Sequence, residues 1–175
     1  MKTQFFTCLL LLASLVLSAQ ENWQILKKDA FAISYPTDWE SSNQMSQPSM
    51  QFLLLSDITT QNDDKFRENI NLTTESLSGQ SFTIDGYAKL STDQIIAQIP
   101  GSKFESNKAS TLDGQDAWEV IWSADFGNGM ILKFKQSFLL FNDTAYVLTY
   151  SSSKAEYDQY VKVADLIFNS FKLAK

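Results

Sequence analysis

A meander of long apolar-patterned segments between positions 104 and 152, separated by three short turns, constrains the fold more than any other feature. Asp113-Gly114 is typical of a two-residue β-hairpin turn, and residues 127–129 (Gly-Asn-Gly) provide glycines for a three-residue hairpin loop. Asn142-Asp143 provides the third turn. Because short turns join neighbouring antiparallel strands, the sequence predicts an antiparallel meander.

The loop at residues 127–129 also predicts which residues of its two strands lie opposite each other. Trp118 is expected opposite Phe138, and Trp122 opposite Phe134, on one face of the sheet. The other face is expected to carry Glu119, Lys133, Lys135 and Ser137. Since the first face is strongly aromatic, we expect Trp118 and Trp122 to pack in the core rather than to stack on a carbohydrate.

Two amphipathic helices are predicted to cover this sheet. The first spans residues 84–99, with Thr83 as its N-cap and Pro100-Gly101 as its end. The second follows a capping box formed by Ser153 and Glu156. Its apolar stripe consists of Tyr157, Tyr160, Val161, Ala164, Ile167, Phe168 and Phe171. A single apolar stripe of this kind indicates a helix that packs on a sheet.

The segments before the first helix alternate between strand patterns and polar loops. Strands are predicted at residues 31–35, 50–55 and 69–75, and long polar loops at residues 37–49 and 56–68. Pro36 ends the first of these strands because proline has no backbone donor. We therefore expect one α+β domain over residues 20–175.

The first 19 residues have the features of a secretory signal peptide. Lys2 precedes an apolar run at residues 5–17, and Ala19 is a small residue suited to the cleavage site. The run has 13 residues, whereas a membrane-spanning helix needs about 20. Cleavage would remove the one cysteine, Cys8, and leave an extracytoplasmic chain with no transmembrane segment.

Composition excludes several classes of function. The chain has no histidine and one cysteine, so nucleophile systems that need histidine and the usual zinc sites are excluded. Acidic residues outnumber basic ones by 20 to 14, with a formal net charge of -6, which argues against nucleic acid as a partner. We expect no cofactor and no enzymatic activity.

The two long loops contain the candidate contact residues. Trp39 lies in the loop at residues 37–49 and is the tryptophan least committed to packing. Asp57, Asp63 and Asp64 lie in the acidic loop, where carboxylate oxygens would suit a hard cation such as calcium. Their spacing does not match a calcium-binding EF-hand, so a solvated acidic loop is the preferred interpretation.

Several short motifs, in a characteristic order, resemble those of the PsbP-like family. They are Trp23, Phe31-x-Ile33-x-Tyr35-Pro36-x-x-Trp39, Asn69-Ile70-Asn71-Leu72, Ala145-Tyr146-Val147-Leu148-Thr149-Tyr150 and Ser170-Phe171. The resemblance implies an α/β/α sandwich around a central antiparallel sheet. It also implies no conserved catalysis, since members act as accessory or docking proteins. Here the acidic charge differs from the basic docking surface of the photosynthetic members, and no histidine could take up a metal-binding role.

Three functional hypotheses follow. The leading one is a non-catalytic extracytoplasmic accessory or interaction protein, whose partner is another extracytoplasmic or envelope protein. The second is a carrier of a small hydrophobic ligand, with an internal pocket lined by Trp118, Trp122 and Phe134. The third is a carboxylate-dependent hydrolase, which would need two acids converging in a cleft, one of them with a raised pKa.

Overall fold

The computed structural model describes residues 22–61, 66–127 and 129–174, and these form ten strands and two α-helices. In chain order they are β1 (Trp23–Lys27), β2 (Phe31–Pro36), β3 (Glu40–Ser42), β4 (Met50–Leu55), β5 (Asn69–Ser76), α1 (Ile84–Gln98), β6 (Lys103–Leu112), β7 (Gln115–Asp125), β8 (Ile131–Phe141), β9 (Thr144–Ser153), α2 (Tyr157–Asn169) and β10 (Lys172–Leu173). The predicted α+β class is confirmed.

Seven of these strands form one antiparallel sheet in the order β3-β4-β5-β9-β8-β7-β6. The predicted meander is its β6-β7-β8-β9 part, and the predicted pairs Trp118–Phe138 and Trp122–Phe134 are both present. Asp113, Asn142 and Asp143 adopt positive φ angles at the turns, a conformation that Asn and Asp tolerate better than most residues. Because β5 pairs with β9, the end of the meander lies in the middle of the sheet.

The two helices lie on opposite faces of this sheet, which confirms the predicted α/β/α sandwich. α1 packs on β7 and β8 through Tyr87 and Ala88, against Val120 and Phe138. α2 packs on β9 and on β2, with Tyr157, Ala164, Ile167 and Phe168 in the larger core cluster. Phe171 of the predicted stripe is in the same cluster but follows the helix, which ends at Asn169. One helix thus packs on each face of the meander, α1 over β7 and β8 and α2 over β9.

A second sheet has three strands in the order β1-β2-β10, and its central strand β2 contacts α2. Phe31 of β2 stacks on Phe171 with ring centroids 5.8 Å apart, so the chain after α2 joins this sheet to the core. The strands β1, β3 and β10 were not predicted. β3 and β10 have 3 and 2 residues, too few for a period-two pattern. β1 has 5 residues, but its apolar Ile25 and Leu26 are adjacent, so the alternation is broken.

The predicted helix boundaries are nearly those observed. Thr83 Oγ1 accepts a hydrogen bond from the Gly86 backbone N–H at 3.3 Å. A Cβ atom on Gly86 would lie 3.0 Å from Thr83 Oγ1, which explains the glycine in the first turn of α1. Ser153 Oγ accepts from the Glu156 backbone N–H at 3.3 Å, but Ser153 is the last residue of β9, and α2 begins at Tyr157.

Candidate functional site

Trp39 is a core residue in the structure, with 6% of its surface exposed. The prediction that it is little committed to packing was wrong. The Trp39 backbone N–H donates to the Pro36 carbonyl at 3.1 Å, a turn that directs the indole back onto the core cluster of Tyr35 and its neighbours. The Trp39 indole therefore packs in the core below the loop and has little exposed area for contact with a partner.

Asp57 is partly exposed and fixes the start of a short 3-10 turn at Ile58–Gln61. Its Oδ1 accepts hydrogen bonds from Thr59 Oγ1 at 2.7 Å and from the Thr59 backbone N–H at 2.8 Å. These bonds hold the pKa of Asp57 below its ordinary value. Asp63 and Asp64 lie outside the described residues. Within those described, no three His, Cys, Asp or Glu residues group in a way that could hold a metal ion.

The most exposed apolar feature of the meander is the loop between β7 and β8. Phe126, Met130 and Ile131, which we call the hairpin tip, are 48%, 44% and 42% exposed. The Phe126 N–H donates to the Met130 carbonyl at 2.9 Å, and the Met130 N–H to the Gly127 carbonyl at 3.0 Å. These bonds fix the backbone of the loop, so little backbone conformational entropy remains to be lost on contact.

A row of aromatic rings supports the hairpin tip. Phe126 packs edge-on against Phe134 at 5.8 Å, and Phe134 stacks on Trp122 at 4.3 Å. Trp122 also stacks on Phe104, with ring centroids 6.4 Å apart. The carrier hypothesis required a pocket lined by Trp122, Phe134 and Trp118, but the stacked rings of Trp122 and Phe134 fill the space between them. Trp118 is partly exposed, and its Nε1 donates to Asn107 Oδ1.

A groove of about 510 Å³ lies beside the hairpin tip. Its lining is Phe66, Gly129, Met130, Ile131, Ser153, Lys154 and Ala155. This volume is within the range of about 300–1,000 Å³ typical of ligand-binding clefts. The Lys154 backbone N–H donates to the Ile131 carbonyl at 2.9 Å, which ties the two sides of the groove together.

The charged side chains on the opposite face form ion pairs. Lys135 Nζ lies 2.6 Å from Asp165 Oδ1 and 3.0 Å from Glu119 Oε2. Burial alone would raise the pKa of Glu119, but Lys135 and Lys108 outweigh that effect and hold it below its ordinary value. The ion pair between Lys135 and Asp165 attaches α2 to the sheet. Lys135 also stabilises the charged form of the Glu119 carboxylate.

The hydrolase hypothesis requires a carboxyl group with a raised pKa. The pKa of each of Asp57, Asp85 and Glu119 lies below its ordinary value, so these three carboxyl groups do not meet that requirement. Glu68 is fully buried, and its Oε1 accepts from Ser152 Oγ at 3.2 Å, while its Oε2 has no hydrogen-bond partner.

Sequence reasoning missed the hairpin tip. The sequence predicted only a hairpin loop at residues 127–129, and the chain does turn there between β7 and β8, with the Gly127 N–H donating to Asp125 Oδ1. The available signal was the apolar character of Phe126 and Met130 on either side of a glycine turn, because turn residues are usually polar. Across residues 22–61, 66–127 and 129–174, no helix has the length and apolarity to span a membrane.

The fold defines an α/β/α sandwich protein with an exposed apolar hairpin on one end of its antiparallel sheet. The profile of the family described as PsbP-like protein matches residues 14–173. The chain therefore belongs to the PsbP-like family, as its sequence motifs suggested. A comparison with curated proteins finds no match.

Solved structures share the fold at low sequence identity. The cyanobacterial PsbP, CyanoP, of Synechocystis sp. PCC 6803 is similar with a TM-score of 0.66 and 14% identity, over 87% of this chain and 93% of that one. The Ran-binding protein Mog1p of Saccharomyces cerevisiae gives 0.60 and 8%, over 87% and 95%. LpqN of Mycobacterium tuberculosis, involved in cell envelope biogenesis, gives 0.55 and 16%, over 93% and 96%.

Proposed function

We propose that this chain is a non-catalytic extracytoplasmic accessory protein that acts by contact with another extracytoplasmic or envelope protein. The observation that carries the proposal is the hairpin tip, in which Phe126, Met130 and Ile131 are exposed together on a hydrogen-bonded loop. Clustered exposed apolar residues on a folded surface mark interaction sites, and aromatic and methionine side chains are enriched there.

Membership of the PsbP-like family and the fold relatives give further support. One similar structure is a Ran-binding protein and another is involved in cell envelope biogenesis. Asp57, with residues 63 and 64, remains part of the proposed contact surface. Trp39 contributes to that surface by holding the backbone beneath it.

Export is a testable part of the proposal. Protein recovered from outside the cytoplasm of its native host should have Gln20 as its first residue, since Ala19 provides the cleavage site. N-terminal sequencing or intact mass measurement, with allowance for cyclisation of the terminal glutamine, checks this. Recovery of the chain from the soluble cytoplasm with Met1 in place would contradict it.

Phe126→Asp is expected to release the protein from its assembly. A carboxylate at an apolar contact loses hydration without a partner, and loss of an interface hot spot weakens binding by about tenfold or more. Envelopes solubilised in mild detergent, analysed by native electrophoresis, should show wild type in a complex and Phe126→Asp as the free chain.

Ile96→Asp provides the matched control, because Ile96 is an exposed apolar residue on α1 and is not part of the hairpin tip. It should migrate with wild type. Free migration of all three proteins would argue against a contact role. Hydrolytic turnover that survives stringent purification and disappears on substitution of one Asp or Glu would also argue against it.

A further inference from the structure

α1 covers only part of its face of the central sheet. It packs on β7 and β8, and at its N-terminal end Tyr87 donates a hydrogen bond to Glu75 Oε2 at 2.9 Å. Apart from this bond, the main helix contacts with this face of the sheet in the described chain are those of α1 with β7 and β8, and no helix covers β4, β5 and the second half of β9 to a comparable extent. This leaves a part of the sheet open to contact.

The open part has the shape of a shallow trough. Thr149 and Ser151 of β9 form its floor and are only 9% and 6% exposed, whereas the residues around them, Leu53, Asn69, Asn71 and Gln136, are partly exposed. Register places Asn71 opposite Thr149 on one side and Gln136 opposite it on the other. We call this surface the trough, and it is lined by Leu53, Asn69, Asn71, Gln136, Thr149 and Ser151.

The trough carries no charged side chain, although the chain has 20 acidic and 14 basic residues. The charges at its border are already engaged. Arg67 Nη1 pairs with Glu40 Oε2 at 3.1 Å at one edge, and Glu75 accepts from Tyr87 at the other. An uncharged centre with charged residues at the rim is the composition found in protein interfaces.

The hydrogen-bonding groups of the trough are held in place by their neighbours. Trp122 Nε1 donates to Gln136 Oε1 at 2.9 Å, and Gln136 Nε2 donates to Thr149 Oγ1 at 3.2 Å. The Thr149 hydroxyl hydrogen is thereby left to point away from Gln136. Oriented amides and hydroxyls of this kind suit the neutral polar groups of a protein backbone, whereas a charged ligand would lose hydration there without a counter-charge.

The trough continues into the groove at the hairpin tip. Ser153 follows Ser151 on the same face of β9 and lines the groove. Phe134 lies opposite Ser151 and contacts Phe126. The trough, the groove and the hairpin tip therefore form one surface, in which the trough is uncharged, the groove includes one charged side chain, Lys154, and the hairpin tip is apolar.

We infer that this combined surface binds an uncharged face of a folded extracytoplasmic protein, which places one large apolar side chain in the groove beside Met130. The inference rests on the proposed function and names the surface and the chemistry of its partner. The polar groups of the trough form hydrogen bonds with neutral groups of that partner, and the groove binds the partner's large apolar side chain. In interfaces of this kind a few buried residues supply most of the binding energy.

Site-specific cross-linking tests the inference. Benzoylphenylalanine is placed singly at Asn71 and Met130, and at Gln94 and Lys162 as exposed controls on the two helices. Irradiation of intact envelopes from the native host should give one protein adduct of the same mass from positions 71 and 130. Positions 94 and 162 should not give it.

A second substitution shows whether the adduct depends on the trough. Thr73→Arg adds a charge beside Asn71 and should reduce the adduct from position 130 about tenfold or more. Thr111→Arg is the matched control, since Thr111 is exposed on the edge strand β6, and it should leave the adduct unchanged. Both variants should melt at the wild-type temperature.

Each other outcome overturns the inference. An adduct with lipid or with a second copy of this chain would assign the surface to a different occupant. Adducts from positions 94 or 162 alone would leave the proposed function standing but move the contact elsewhere. An adduct unaffected by Thr73→Arg would remove the trough from the contact, and the absence of any protein adduct from all four positions would overturn the proposed function as well.

Discussion

Phe168→Asp is expected to leave the protein unfolded or aggregated under conditions in which wild type is folded. Phe168 is 4% exposed and lies in the core cluster beneath α2. Truncation of a buried phenylalanine costs about 3–5 kcal/mol, and an unpaired buried carboxylate adds a further penalty. Domains have about 5–15 kcal/mol of net stability, so the combined loss removes most or all of it.

Leu166→Asp is the control for this experiment. Leu166 lies on the same helix but is 59% exposed, so the same new charge is hydrated there and should shift the melting temperature little. Thermal unfolding followed by circular dichroism compares the two variants with wild type. Equal loss in both, or a Phe168→Asp protein that melts with wild type, would mean that α2 covers the sheet with a different face.

The meander could be predicted from sequence because its turns are short. A three-residue loop leaves little choice of register, and register decides the face of every residue in both strands. The sequence alone therefore predicted that Trp122 and Phe134 lie opposite each other on adjacent strands, as they do. The last helix was equally accessible, since a stripe that includes Ile167 and Phe168 fits one helical face and no strand.

The candidate contact surface was less accessible because it depends on what lies over the sheet. Asn69, Asn71 and Thr73 alternate with apolar residues as in any half-exposed strand. That pattern predicts an outer face but does not tell whether a helix covers it. The position of α1 over β7 and β8 leaves the trough open, and this is a tertiary property that no local pattern contains.

The burial of Trp39 illustrates the same limit within a loop. Trp39 was expected to be the tryptophan least committed to packing, because it lies in the polar loop at residues 37–49. The turn to the Pro36 carbonyl and the pairing of β3 with β4 bring the indole into the core instead. A single large aromatic side chain can be buried by backbone direction alone, without an amphipathic pattern around it.

Trp39→Ala is accordingly expected to cost about 3–5 kcal/mol in the free energy of unfolding, the range for loss of a buried aromatic side chain. Trp118→Ala is the comparison, since Trp118 is partly exposed at the edge of the other core cluster and should cost clearly less. Urea unfolding at equilibrium measures both. A Trp39→Ala protein as stable as wild type would place the indole outside the core and return it to the contact surface. A large loss of stability would instead show that any weaker assembly of Trp39→Ala is caused by partial unfolding. The contribution of the contact surface is then measured with Phe126→Asp, because Phe126 is exposed.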